Sequence, residues 1–212
     1  MRHAVHPFVL GDIGLQRDFA PICFACKRIV YIFELTSLNL YLNTNLYMDN
    51  EQRILRAVEL FKMGYNCAQS VTAAFADEYG YTEEQALKMS ASFGGGIGRM
   101  RETCGAACGM FILAGLETGS TDPADREGKA ANYAFVQELA EEFRRENGSL
   151  ICAELLGLRE RKPQEPNPEE RTVAYYAKRP CAKMVETAAR IWANKKKRHA
   201  KKRMKSVQGL KK

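Results

Sequence analysis

An all-α fold, a single bundle of about six or seven helices, is predicted by three features of this 212-residue chain. Beyond residue 48, apolar residues recur with the 3.6-residue period of an amphipathic helix. Residues that cap helices stand where those segments begin, and glycines stand where several of them end. Almost no segment shows the alternation of apolar and polar residues that is typical of a strand. We therefore expect one helical domain around one hydrophobic core.

The first helix is predicted to begin after Met48, because Asp49 or Asn50 can cap it. Its apolar positions should face the core, and they are Ile54, Leu55, Val58 and Phe61. Asn66 is the predicted cap of a second helix, and Thr82 is that of a short third helix. The second helix should bury Cys67, Ala68, Val71, Ala74 and Phe75.

Four further helices are expected beyond the glycine run Gly94–Gly98. They cover about residues 103–116 and 124–146, a brief stretch after Ser149, and a last helix that starts at Pro180. The buried stripes of the two long helices are Phe135, Val136, Leu139 and Phe143, then Cys181, Met184, Val185, Ala188, Ile191 and Trp192. The polar, proline-rich segment 161–170 is predicted to be a surface loop. The helical domain should therefore span residues 48–194.

Residues 1–47 are predicted to be a poorly ordered extension, and a mis-called start codon would account for them because Met48 directly precedes the first helix. The apolar stretch within them contains Glu34 and three asparagines, which makes it a poor membrane span. It also lacks the layout of a secretory signal, so we expect a cytoplasmic protein. Cys23 and Cys26 form an isolated C-x-x-C without the following histidine of covalent haem attachment.

The positive charge is concentrated at the carboxyl end. Ten of the 32 Lys and Arg residues lie in residues 195–212, so the rest of the chain has 22 against 25 Asp and Glu. Charge blocks of this kind are usually disordered, and residues 195–212 are predicted to be a basic disordered tail. Because the tail has no interleaved aromatic residues and the body has no basic stripe, no nucleic acid partner is expected.

Five cysteines of the predicted domain fall near predicted helix starts, and they are Cys67, Cys104, Cys108, Cys152 and Cys181. The N-terminal end of a helix stabilises a thiolate and lowers the pKa of a thiol. Any one of them can also be a small core residue, since free cysteine is often buried. Their spread over separate helices at similar positions favours a functional cluster. Cys108 is the weakest candidate because it lies one turn after Cys104.

The glycine run Gly94–Gly98 precedes Cys104, and Arg99 and Arg101 stand between them. Glycine permits positive φ and close approach of the backbone, so the run should leave room beside the Cys104 sulfur. The two guanidinium groups should lower the pKa of that thiol, which predicts an accessible, reactive cysteine. Residues 48–194 contain no histidine, which excludes Cys-His catalysis and histidine ligation of zinc or haem there.

Four segments of the chain resemble the redox-active proteins that are named for their C_GCAxxG_C_C cysteine pattern. These segments are GYNCAQSV at 64–71, FGGGIGRMRETCGAACG at 93–109, CAELLG at 152–157 and RPCAKMVETAARI at 179–191. Cys104 lies in the C-G-A-x-x-G element, Cys108 fills a variable position of it, and the other three family positions are matched by Cys67, Cys152 and Cys181. The resemblance implies a small, mostly helical, prokaryotic protein that is presumed to be redox active.

What the resemblance further implies is thiol–disulfide exchange with Cys104, Cys67, Cys152 and Cys181 as the catalytic residues. Cys104 would be the attacking thiolate, and one of the other three would resolve the mixed disulfide. A reducing cytoplasm suits such cysteines, and the electron or thiol donor is unknown.

Two other functions stay open at this point. The four cysteines can close on one metal ion or an iron–sulfur cluster, although they come singly, 37, 48 and 29 residues apart, and not in C-x₂₋₄-C pairs. Alternatively, the chain is a helical interaction domain whose cysteines are structural and whose basic tail contacts the partner. Which cysteines pair, whether the protein is an enzyme and how many copies assemble do not follow from the residues.

Overall fold

Eight α-helices form the regular structure of the described residues. A computed structural model describes residues 48–158 and 165–209, and their side chains up to Arg198. The helices are α1 Asn50–Lys62, α2 Cys67–Ala73, α3 Glu83–Ser90, α4 Gly105–Thr118, α5 Arg126–Asn147, α6 Cys152–Leu155, α7 Val173–Lys178 and α8 Cys181–Gly209. No strand occurs in these ranges, which contain two short 3₁₀ helices, Ala76–Tyr79 and Ala91–Phe93, so the all-α prediction is confirmed. The predicted extension 1–47 and part of the loop 161–170 lie outside the described residues.

Capping boxes begin the first three helices at the predicted caps. In each box the cap side chain accepts a hydrogen bond from the backbone N–H three residues on, and the glutamine at that position accepts one from the cap N–H. The pairs are Asp49 with Gln52, Asn66 with Gln69 and Thr82 with Gln85. Each box satisfies N–H groups that have no partner inside the helix, so it determines where the helix begins. For α2 this first residue is Cys67.

Trp192 of α8 lies fully buried in the core, and α8 packs against α1, α2, α4 and α5. The other large, fully buried apolar side chains are Ile54, Leu60, Phe61, Val71, Phe75, Met110, Leu113, Leu139, Phe143 and Val185. The predicted buried stripes of α5 and α8 are confirmed, except that Val136 and Cys181 are only partly buried. One core therefore joins the first helix of the domain to the last.

The prediction that Leu55 of α1 lies in the core is wrong. Leu55 is 63% exposed, whereas Arg53 is 1% exposed. The Arg53 guanidinium can be buried because Asp77 accepts two hydrogen bonds from it and Glu78 lies 3.2 Å from its Nε. A buried charge requires such pairing. Apolar periodicity cannot reveal it, since the partners lie on another element.

Helices α2 and α4 approach each other closely at two glycines. A β-carbon at Gly105 would lie 3.3 Å from the Cys67 β-carbon, and one at Gly109 would lie 2.7 Å from the Ala68 carbonyl oxygen. Both glycines are buried, one helical turn apart on the same face of α4. Their lack of side chains lets the backbones touch, which brings the starts of α2 and α4 together.

Helix α7 was not predicted. Thr172 caps it, and its hydroxyl accepts a hydrogen bond from the Tyr175 N–H at 3.2 Å. None of the six residues of α7 is fully buried, so no apolar stripe indicates this helix in the sequence.

Helix α8 continues to Gly209 and includes most of the segment 195–212, for which the sequence predicted disorder. Lys195 pairs with Glu142 of α5 at 2.9 Å, and Lys196 pairs with Glu78. Acidic residues of other elements thus compensate the charge where the basic segment begins. Lys, Arg and Ala also have high helix propensity, which favours continuation of α8.

Candidate functional site

Four of the five cysteines in the described residues line one cavity of about 170 Å³. They are Cys67, Cys104, Cys152 and Cys181, and we call this space the cysteine cavity. Cys67, Cys152 and Cys181 are the first residues of α2, α6 and α8, and Cys104 is the residue before α4. The prediction that these cysteines stand at helix starts is therefore confirmed, and the fold brings the four starts together.

Cys108 does not line the cysteine cavity. It is buried within α4, and its thiol lies 3.8 Å from the Thr103 carbonyl oxygen as a hydrogen-bond donor. Burial raises its pKa to about 11. Cys108 is therefore a structural residue in this arrangement, as its weaker standing in the sequence suggested.

The glycine run forms one wall of the cavity with an unusual backbone. Five consecutive residues, from Gly95 to Arg99, have φ values between 56° and 72°, which is the left-handed region. Glycine adopts this region without strain, whereas Ile97 and Arg99 do so at a cost of about 1–2 kcal/mol each. Backbone hydrogen bonds from Arg101 to Gly95 at 3.3 Å and from Glu102 to Gly96 at 3.1 Å hold the turn closed.

A pair of backbone hydrogen bonds ties the start of α4 to the start of α6. The Cys104 N–H donates to the Leu150 carbonyl oxygen at 2.7 Å, and the Cys152 N–H donates to that of Glu102 at 2.7 Å. They flank an isolated antiparallel bridge between residues 103 and 151. This link places Cys104 and Cys152 on the same side of the cavity.

Cys67 and Cys181 line the same cavity, and each affects the pKa of the other. The hydrogen bond from Cys67 is the main cause that lowers the pKa of Cys181 to about 7, and Arg179, Arg171 and Arg101 lower it further. The same hydrogen bond, together with burial, raises the pKa of Cys67 well above its ordinary value. The pair thus consists of one thiol that ionises near neutral pH and one that holds its proton.

The expectation that Cys104 is accessible and has a lowered pKa is wrong. Its side chain is buried, and burial raises its pKa to about 12, although the Ala106 and Ala107 N–H groups oppose the rise. The charges of the two arginines that precede it in sequence are not among the main causes that set this pKa. Arg99 donates through Nε to the Glu165 carbonyl oxygen at 2.9 Å.

Arg101 lowers the pKa of two other cavity cysteines, Cys152 and Cys181. Burial raises the pKa of Cys152, and the charge and hydrogen bond of Arg101 oppose that rise. Arg101 also helps to lower the pKa of Cys181. The Arg101 guanidinium, which is close to Cys104 in the sequence, therefore stabilises thiolates of cysteines from distant parts of the chain.

Sequence reasoning missed three residues that line the cysteine cavity, Glu169, Arg171 and Arg179. Arg179 is two residues before Cys181, and this proximity is a signal that the sequence did contain. Arg171 stacks on the Tyr175 ring with its guanidinium carbon 4.6 Å from the ring centroid, and Arg179 lies 4.9 Å from the same centroid. Nothing in the sequence near residues 169–171 indicates this arrangement.

All five cysteines of the described ranges are free thiols. In residues 48–158 and 165–209, no three His, Cys, Asp or Glu side chains are grouped so that they can hold a metal ion. The four thiols therefore share a cavity, but they do not converge on one point where a metal ion could bind. None of the helices in these ranges is long and apolar enough to cross a membrane.

A comparison with known proteins gives one match. The family model described as "Putative redox-active protein (C_GCAxxG_C_C)" matches residues 65–195, which is more than half of the chain. No curated protein and no solved structure matches. The matched range includes every helix start that contributes a cysteine to the cavity.

Proposed function

We propose that this chain, which belongs to the C_GCAxxG_C_C family, is a thiol–disulfide redox protein. Its working dithiol in this proposal is Cys67 with Cys181. The observation that supports this assignment is that Cys67 and Cys181 line one cavity and that their interaction shifts their pKa values in opposite directions. Exchange needs a thiolate that attacks and a second thiol that resolves the mixed disulfide. Cys181 is suited to the first role, and Cys67 to the second.

In the proposed reaction, the Cys181 thiolate attacks one sulfur of a substrate disulfide, and the S–S bond of the substrate breaks. One substrate thiolate leaves and takes up a proton, while Cys181 stays bound to the other half. Cys67 then loses its proton to solvent, attacks the Cys181 sulfur and releases the second substrate thiolate. The protein gives up two electrons and gains a Cys67–Cys181 disulfide, and the substrate becomes two thiols.

Cys104 and Cys152 have a second role in this proposal. Both line the same cavity, and burial keeps both protonated at neutral pH. Electrostatic interaction with each of them helps to raise the pKa of Cys67, so both lie near that thiol. We assign them as a reserve dithiol that can reduce the Cys67–Cys181 disulfide by exchange. The proposed setting is the reducing cytoplasm, where cysteines of this kind are catalytic or redox-sensing more often than structural.

The test is to count thiols in the full-length chain at defined redox potentials. The protein is purified anaerobically, equilibrated in poised dithiol buffers, alkylated and weighed intact, and the alkylated sites are mapped on peptides. We expect two thiols to disappear together, to return on reduction, and to map to Cys67 and Cys181. Cys181→Ser should abolish this first transition, while Cys108→Ser should leave it unchanged.

Two outcomes would contradict the proposal. If the first disulfide maps to cysteines other than Cys67 and Cys181, the assignment of the working pair is wrong. If the thiols of the reduced protein resist alkylation until a chelator is added, the cysteines bind a metal, and the alternative of a metal or iron–sulfur site takes its place.

A further inference from the structure

The cysteine cavity carries more positive charge than its acidic residues compensate. Its lining includes four arginines, Arg99, Arg101, Arg171 and Arg179, and among the described lining residues the only acid is Glu169. The Glu169 carboxylate contacts Arg179 and lies 3.8 Å from Arg101 and 3.9 Å from Arg99. One carboxylate is therefore shared by three guanidinium groups.

Two of these arginines have buried N–H groups that no acceptor in the described residues uses. Arg101 is 4% exposed, and its Nε has no hydrogen-bond partner within residues 48–158 and 165–209. One terminal nitrogen of Arg171 also lacks a partner in these ranges, while the other donates to the Tyr65 carbonyl oxygen at 3.5 Å. A buried cation without a full set of acceptors is costly. Even when Cys181 is a thiolate, the cavity keeps a positive charge that an anionic ligand would neutralise.

We propose that the cysteine cavity selects small disulfides that carry carboxylate groups, and that Arg101 and Arg171 bind a carboxylate while Cys181 attacks the neighbouring sulfur. This inference rests on the proposed function, because it names the substrate class of the same site. A guanidinium presents paired N–H donors that match a carboxylate. A volume of about 170 Å³ admits one arm of such a small molecule. Binding the carboxylate positions the S–S bond near the thiolate, and the two-electron exchange then follows the steps given above.

The experiment uses three disulfides of similar size and different charge, which are 3,3′-dithiodipropionate, 2-hydroxyethyl disulfide and cystamine. Their end groups are anionic, neutral and cationic. The reduced full-length protein is mixed with each, and the second-order rate constant for loss of the Cys181 thiol is measured by quenching, alkylation and mass. The readout is the rate constant for 3,3′-dithiodipropionate divided by that for 2-hydroxyethyl disulfide. This ratio is then divided by the same ratio measured with 2-mercaptoethanol, which serves as a neutral reference thiol. Both rates depend on the same thiolate, so the pKa of Cys181 cancels from the ratio.

We expect the normalised ratio to be at least about tenfold above one at low ionic strength and to fall as salt is added. The order of rates should be anionic, then neutral, then cationic. Arg101→Gln should bring the ratio close to one. Since Arg101 is buried and its variant can misfold, Arg171→Gln provides a second test at a side chain that is only partly buried, and it should also lower the ratio toward one. Glu169→Gln should raise the ratio, because it removes the competing carboxylate.

The outcomes separate this inference from the function on which it rests. If the protein reacts with all three disulfides but the normalised ratio is near one, the substrate class is wrong and the redox function stands. A ratio that does not change in Arg101→Gln or Arg171→Gln overturns the assigned binding residues. If none of the disulfides oxidises Cys67 and Cys181, the proposed function itself is wrong.

Discussion

Gly96 lies directly against Cys152 across the wall of the cysteine cavity. A β-carbon added at Gly96 would lie 2.5 Å from the Cys152 β-carbon, a distance that real β-carbons do not reach. The backbone of Gly96 has a φ of 72°, so it is also in the left-handed region. The glycine run therefore provides space for a cysteine that lies far from it in the sequence.

Gly96→Ala should lower the free energy of unfolding by about 2–4 kcal/mol, which combines the strain of positive φ with the collision at Cys152. Gly98→Ala is the matched control, since Gly98 also has positive φ, 56°, but nothing lies within 4 Å of its added β-carbon. It should cost about 1–2 kcal/mol. Urea unfolding of both variants gives the comparison. Equal losses would mean that Cys152 does not restrict this position.

Gly109→Ala should destabilise the protein by about 1–3 kcal/mol, because the new methyl group would separate α2 from α4. Gly115→Ala lies on the same helix with open space around it, and it should stabilise by up to about 1 kcal/mol. The measurement is the shift in the urea midpoint. If Gly109→Ala also stabilised the protein, the close packing of the two helices would be disproved.

The alkylation rate of Cys181 should rise with pH to a plateau, with its midpoint near pH 7. Only the thiolate reacts, so below the midpoint the rate should fall roughly tenfold for each pH unit. The charged groups that face this thiol are Arg101, Arg171 and Arg179, and all three favour the thiolate. Peptide mapping after brief alkylation at a series of pH values gives the profile for Cys181 alone.

Replacing Cys67 tests whether its hydrogen bond lowers the pKa of Cys181. Cys67→Ala removes the donor, so the midpoint for Cys181 should move to higher pH and the rate at pH 7 should fall. Cys67→Ser keeps a hydroxyl donor and should stay close to the wild-type profile. If the alanine and serine variants gave the same midpoint as the wild type, the lowered pKa would not come from Cys67.

Arg53→Met should lower the free energy of unfolding by about 1–3 kcal/mol, because Asp77 and Glu78 lose this cation, although Glu78 keeps Lys196 and the Asp77 side chain is half exposed. Arg56→Met is the control on the same helix. Arg56 pairs with Glu83 at a more exposed site, and its loss should change stability by less than about 1 kcal/mol. Thermal or urea unfolding distinguishes them. Similar losses in both variants would show that burial of the Arg53 ion pairs does not increase their contribution to stability.

The starts of the helices were predictable from the sequence. Asp49, Asn66 and Thr82 act through hydrogen bonds to residues two or three positions away, and such local chemistry can be seen in the sequence. Among the cavity cysteines, Cys67 follows such a cap, whereas the helix starts at Cys104 and Cys152 have no side-chain cap. Leu55 and α7 were not predicted correctly, because their burial or exposure depends on which other elements pack against them.

The sequence by itself determined that this protein is helical, that Cys67, Cys104, Cys152 and Cys181 stand at helix starts, and that residues 48–194 contain no histidine. Only the tertiary structure decided that Cys181, with Cys67 as its partner, has the lowered pKa in place of Cys104. The pKa of a thiol depends on its burial and on the charges and donors a few ångströms away. In this fold those groups come from residues far apart in the chain, such as Arg101 and Cys67 around Cys181.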